Sequence, residues 1–263
     1  MNIKVRNHVV MSGKGKQPVL FAHGFGCDQN MWRFVAPAFE QDYQVVLFDH
    51  VGAGRSDLTA YESEKYASLD GYADDIIEIS RDLGLSDIIF VGHSVAAMMG
   101  IIAANKAPDL FSKLVLVGPS PYYINEGDYQ GGFTHVQIDE LLEALENNHL
   151  GWSMAMAPVI MGNPGRKELA GELGNSFCRT DPEIARQFAR TTFLSDAREA
   201  LPTIHIPTLI LQCSEDVIAP RSVGEYVHER IAGSKIVYMK ATGHCPNLSA
   251  PDETIEAIKT FLA

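Results

Sequence analysis

Apolar runs of strand length recur along the chain and alternate with segments whose apolar residues fall at helical spacing. Val5 to Met11, Val19 to Ala22, Gln44 to Phe48, Ile88 to Val91 and Leu114 to Val117 read as strands. Thr208 to Cys213 and Lys235 to Met239 repeat the pattern near the end. Between them, Asp70 to Leu83 sets Tyr72, Ile76, Ile79 and Leu83 on one helix face, and Asp252 to Leu262 is a second amphipathic helix. This alternation predicts an α/β fold: a mostly parallel sheet, eight-stranded or similar, flanked by helices on both faces.

The rhythm breaks between Pro119 and about Leu201, where helical stretches follow one another without a strand. They span approximately Val136 to Asn147, His149 to Met161, Arg166 to Phe177 and Pro182 to Leu194. Asp181-Pro182-Glu183 is a strong helix start, a capping acid ahead of a first-turn proline. Gly118-Pro119-Ser120-Pro121 and Ile206-Pro207 bracket the stretch. Residues 120–201 are therefore expected to form a four-helix cap inserted after the sixth strand, with 1–119 and 202–263 forming the core.

Ser94 carries the first chemical signal. An apolar strand enters Gly92-His93-Ser94-Val95-Ala96 and a helix follows, the context a nucleophile elbow requires. Ala96 stands where glycine is usual, and would be strained at positive φ. A serine hydroxyl needs a base to take its proton and a carboxylate to orient that base. In this architecture they follow the serine in the order acid, then histidine, on loops after later strands. Asp216 lies in the loop behind Thr208 to Cys213, with Glu215 as the alternative acid, and His244 lies behind Lys235 to Met239. His8, His50, His93, His135, His149, His205 and His228 lack that placement and read as surface or packing residues, His93 aimed away from the site. An oxyanion needs preorganised donors. The backbone N–H groups of Phe25, in His23-Gly24-Phe25-Gly26, and of Val95 are the expected pair. Ser12 to Lys16 and Asp49 to Ser56 contain glycine spacings suggestive of nucleotide loops, but neither is followed by the helix such a loop needs.

Composition narrows the partners. A net charge of −12 argues against nucleic acid, which calls for a basic surface. No stretch approaches the roughly 18 apolar residues of a membrane span, and the first residues have no apolar run of signal-peptide length. Four widely spaced cysteines without a Cys-x-x-Cys pair point to a reduced, cytoplasmic protein. No metal and no organic cofactor is implied.

Taken together, Ser94, Asp216, His244 and the His-Gly-Phe-Gly loop resemble the α/β-hydrolase superfamily. Within it, His23 to Gln29, Phe48 to Gly54, Gly118 to Pro121 and Gly243 to Pro246 resemble the group of the bacterial stress-response regulator RsbQ and the plant karrikin and strigolactone receptors. Gly131-Gly132-Phe133, Gly151-Trp152, Asp181 to Phe188 and Phe193 to Asp196 extend the likeness over nearly the whole chain. The resemblance implies four cap helices over a hydrophobic pocket lined by Phe25, Phe133, Trp152 and Phe193. Met154 and Met156 add flexible side chains to the cap that could reshape such a pocket. The expected activity is a serine hydrolase acting on a small hydrophobic ester or lactone. The alternative is a signalling protein that binds a small hydrophobic signal molecule, with a PAS-domain phosphatase as the partner the resemblance implies. An acyltransferase or perhydrolase is a third option.

Overall fold

The computed structural model describes residues 2–263. Among them, seven strands form one sheet: β1 (Val10–Ser12), β2 (Pro18–Ala22), β3 (Gln44–Leu47), β4 (Ile88–His93), β5 (Phe111–Val117), β6 (Thr208–Gln212) and β7 (Lys235–Tyr238). Their order is β1-β3-β2-β4-β5-β6-β7. β1 runs antiparallel to β3, and every other neighbouring pair is parallel. β2, β4 and β6 are buried along their whole length, as strands covered on both faces must be.

The period of two along each strand divides the core. Val19, Phe21, Ile89, Val91, Val115, Val117, Leu209 and Leu211 face one side, while Leu20, Ala22, Phe90, Leu114, Leu116 and Ile210 face the other. The second face is covered by α2 (Leu69–Asp82), α3 (Val95–Lys106) and Val227 of α8 (Arg221–Arg230), following a short α1 (Ile3–Arg6) at the start of the chain. Four helices between β5 and β6 pack into the first cluster: α4 (His135–Asn147), α5 (His149–Met161), α6 (Lys167–Arg179) and α7 (Pro182–Phe193). Their buried residues include Ile138, Leu141, Trp152, Leu173, Phe177 and Phe193. The short α9 (Pro246–Ser249) and α10 (Pro251–Leu262) complete that side through Leu248 and Ile258.

The sheet departs from the expected count in one respect: it has seven strands, so the helical segment follows the fifth and not the sixth. Val5 to Met11 is not one strand. Asn2 accepts hydrogen bonds from the N–H groups of Lys4 and Val5 and starts α1, His8 turns the chain at φ +43°, and only Val10–Ser12 joins the sheet. Arg6, buried in an ion pair with Asp75 of α2, holds this turn in place. The helices between β5 and β6 lie within two residues of their expected bounds, and His149–Met161 coincides with them.

Candidate active site

The carboxyl ends of β4, β6 and β7 share one edge of the sheet, where open α/β sheets place their ligands. Ser94 sits between β4 and α3 with φ +58° and ψ −128°, a conformation that L residues rarely adopt. Its N–H donates to the Val117 carbonyl at 2.8 Å, and its carbonyl accepts from the Ala97 N–H at 2.9 Å. Ala96 avoids the strain raised by its identity, since it lies in the first turn of α3 and is not among the positive-φ residues.

His244 must cross from the loop behind β7 over the ends of β6 and β5 to reach Ser94. Gly118, just past β5, permits the crossing. Its φ is +57°, and a Cβ there would stand 3.3 Å from His244 Nδ1 and 3.5 Å from Asp216 Oδ2. His244 Nε2 lies 2.7 Å from Ser94 Oγ, and Nδ1 lies 2.7 Å from Asp216 Oδ2. Ser94, His244 and Asp216 are all buried. The structure thus brings together the three residues read from sequence, and Glu215 remains exposed, offering only its backbone carbonyl to the Gly243 N–H at 2.6 Å.

Asp216 is held as an anion. Burial pushes its pKa up, but the His244 imidazole and the N–H groups of Ala219 and Ile218 outweigh this and leave it below the usual carboxylate range. Those two N–H groups donate to Oδ1 at 3.0 and 2.9 Å, leaving Oδ2 for the imidazole.

Of the expected oxyanion donors, Val95 opens α3, so its N–H belongs to the first turn, where no intrahelical acceptor exists. Phe25 follows Gly24, whose Cα lies so near the site that a Cβ would stand 3.1 Å from Ser94 Cβ. Behind this loop, the His50 N–H donates to His23 Nε2 at 3.1 Å and His50 Nε2 donates to the His23 carbonyl at 2.9 Å. His50 therefore buttresses the donor loop from within the core.

Above Ser94 lies a narrow cavity of about 30 Å³. Phe25, Tyr123, Ile160, Phe177, Thr192 and Phe193 are among the side chains around it. Two expected wall residues are absent. Phe133 is bridged to Ile124, its N–H donating to the Tyr123 carbonyl, and Tyr123 takes the wall position. Trp152 stands behind the wall, edge-on to Phe25 at 6.1 Å and 5.8 Å from Phe177. Met154 is exposed and, like Met156, stays outside the cavity. His93, expected to point away, lines the cavity instead and packs 5.1 Å from the His244 ring.

Sequence reasoning missed Tyr123, Phe177 and Thr192. The Tyr123 hydroxyl has no partner in hydrogen-bonding geometry, although burial raises its pKa and nearby Ser94 draws it partly back. Thr192 Oγ1 is likewise buried without a partner. Cys27 and Cys245 also border the cavity, and burial raises both thiols far above their usual range, which leaves them unreactive. None of the described helices is long and apolar enough to cross a membrane.

Comparison with known proteins gives the chain's family and agrees with its fold. The chain is 39% identical to the karrikin insensitive 2 receptor CA of Petunia hybrida, over 97% of this chain and 95% of that one. It is 37% identical to the strigolactone esterase RMS3 of Pisum sativum, over 97% and 96%. A solved hydrolase structure from Oleispira antarctica superposes with a TM-score of 0.97 at 40% identity, covering 99% of this chain and 96% of that one. The alpha/beta hydrolase family model matches residues 19–257, and the chain belongs to that family.

Proposed function

We propose that the protein is a serine hydrolase of small hydrophobic esters or lactones, with residues 120–201 acting as the cap over its pocket. The observation that carries this reading is the pair of 2.7 Å contacts running from Ser94 through His244 to Asp216 beneath an apolar cavity. Ser94 Oγ attacks the acyl carbon while His244 Nε2 takes its proton. Asp216 fixes the Nδ1–H tautomer and stabilises the imidazolium. The carbonyl oxygen becomes an oxyanion held by the N–H groups of Phe25 and Val95. His244 then delivers the proton to the departing alkoxide, leaving an acyl-enzyme on Ser94. Water, deprotonated by His244, attacks that ester, and collapse of the second tetrahedral adduct frees the acid and restores the serine.

Pocket chemistry supports the substrate class. The walls are mostly apolar, which suits a small hydrophobic ligand. The unpartnered hydroxyls of Tyr123 and Thr192 are the placed polar groups, suited to a ring oxygen or second carbonyl. With only about 30 Å³ open, the side chains that α5, α6 and α7 contribute to the wall must shift to admit anything larger than a few atoms. The unpaired cysteines fit a cytoplasmic setting.

A fluorophosphonate label followed by peptide mapping should mark Ser94, and a panel of esters and lactones should define the pocket. Ser94→Ala should lower turnover by roughly 10⁴-fold or more while leaving the fold intact. Full activity in that variant would end the proposal.

A second reading is favoured by the receptor among the relatives and by the small volume of the cavity. It is a signalling protein that holds a small hydrophobic molecule, turns it over slowly, and presents its cap to a protein such as a PAS-domain phosphatase. A lactone that raises the melting temperature of Ser94→Ala, yet is released intact from wild type far more often than it is hydrolysed, would favour it.

A further inference from the structure

His93 borders the site but has no step in the proposed proton relay. It is the last residue of β4, beside Ser94, and is 2% exposed. Its Nε2 lies 2.7 Å from the His244 carbonyl oxygen. A carbonyl only accepts, so Nε2 carries the proton. Nδ1 has no partner and faces Gly24, where a Cβ would approach within 2.9 Å. Burial pushes the pKa of His93 down to about 3, which keeps the ring neutral at working pH. The bond therefore has one tautomer and one direction.

His244 is held from the other side as well. Its N–H donates to the Ile160 carbonyl in the last turn of α5 at 2.9 Å. Both backbone groups and both ring nitrogens of His244 are thus engaged, by four residues from three parts of the chain. The need is geometric. The His244 loop leaves β7 at the sheet edge, and β6 and β5 lie between it and β4. An arm of that reach places its imidazole accurately only if its far end is tied down. His93, rooted in the fully buried β4, is a rigid post for that purpose.

We propose that His93 is a positioning residue for the general base: its Nε2–H anchors the His244 peptide and sets the imidazole over Ser94 Oγ. This rests on the hydrolase reading above. Glutamine can place an amide nitrogen where Nε2 stands, whereas the asparagine amide reaches only as far as Nδ1. H93N should therefore lower kcat about 10²-fold, the cost expected for a misplaced catalytic group, with KM within threefold. H93Q should recover kcat to within tenfold of wild type. In proton NMR, the downfield His244 Nδ1–H signal, identified by its loss in His244→Ala, should broaden or vanish in H93N and persist in H93Q. If H93N does not fold, His93→Ser removes the donor in its place. A kcat within threefold of wild type in the donor-less variant would overturn the proposal. So would equal impairment of both variants with a matching fall in melting temperature, the mark of packing alone. If wild type shows no Ser94-dependent turnover, the hydrolase reading falls, and the NMR comparison alone decides whether His93 sets the imidazole.

Discussion

Ser94 is held where few L residues rest, at φ +58° and ψ −128°, a strain of about 1–3 kcal/mol that surrounding contacts must offset. The Val117 carbonyl supplies one such contact through the Ser94 N–H, and the next residue, Gly118, takes up a positive φ without that strain because it has no Cβ. At φ +57° it leaves an empty face against which the imidazole and carboxylate of His244 and Asp216 lie. Gly118→Ala should cost about 1–2 kcal/mol in backbone strain alone. Its methyl would also press on the His244 ring, so kcat should fall at least tenfold. Melting temperature should drop by a few degrees for a chain of this size. Steady-state kinetics and a thermal melt test both, and an unchanged kcat would mean that the ring has more room than the 3.3 Å approach implies.

At the scale of elements, the end of α5 and the His244 loop behave as one piece. Asn163 Nδ2 donates to the Met161 carbonyl at 2.7 Å and to the Thr242 carbonyl at 3.0 Å, while Thr242 Oγ1 donates to the Gly162 carbonyl at 3.2 Å. Asn163→Ala removes two of these bonds and should cost about 1–2 kcal/mol. It should also lower kcat several-fold with little change in KM, because it loosens the base and not the pocket wall; a change confined to KM would contradict this. None of this linkage was legible in the sequence. What could be read there was local: Asp181-Pro182 starting α7, the strand-to-loop steps ahead of Asp216 and His244, and the apolar alternation of β2, β4 and β6. Val5 to Met11 failed because its turn is held by Arg6 pairing with the distant Asp75. Phe25 and Phe193 of the expected pocket wall do line the cavity, while Phe133 and Trp152 do not, for a related reason. Whether Trp152 or Phe177 faces a ligand depends on how α5 and α6 are rotated against each other, which spacing along one helix does not encode.

For the whole molecule, the buried imidazoles set the response to acid. His23, His50 and His93 have no exposed surface to speak of, and burial lowers the pKa of each, in His23 against the pull of Asp49. All three serve as neutral hydrogen-bonding parts around the site. As pH falls through about 6.5, the unfolded chain takes up protons at these positions and the folded one does not. The stability present above that pH is therefore lost progressively as pH descends toward the folded values, about 3 for His93. Each group contributes a slope of up to about 1.4 kcal/mol per pH unit, so three together approach about 4. A domain at the low end of ordinary stability, about 5 kcal/mol, would not survive much below pH 5 on that slope. Asp216, whose pKa is depressed, adds its own loss only at still lower pH. Urea midpoints should be level from pH 8 to 7 and then fall steeply between pH 6.5 and 5. His50→Gln, which keeps a donor for the His23 carbonyl but cannot titrate, should flatten that fall by about one proton's worth. Midpoints that stayed level to pH 5 would mean that these rings take up protons in the folded state, and the neutral scaffold behind Ser94 and His244 would have to be abandoned.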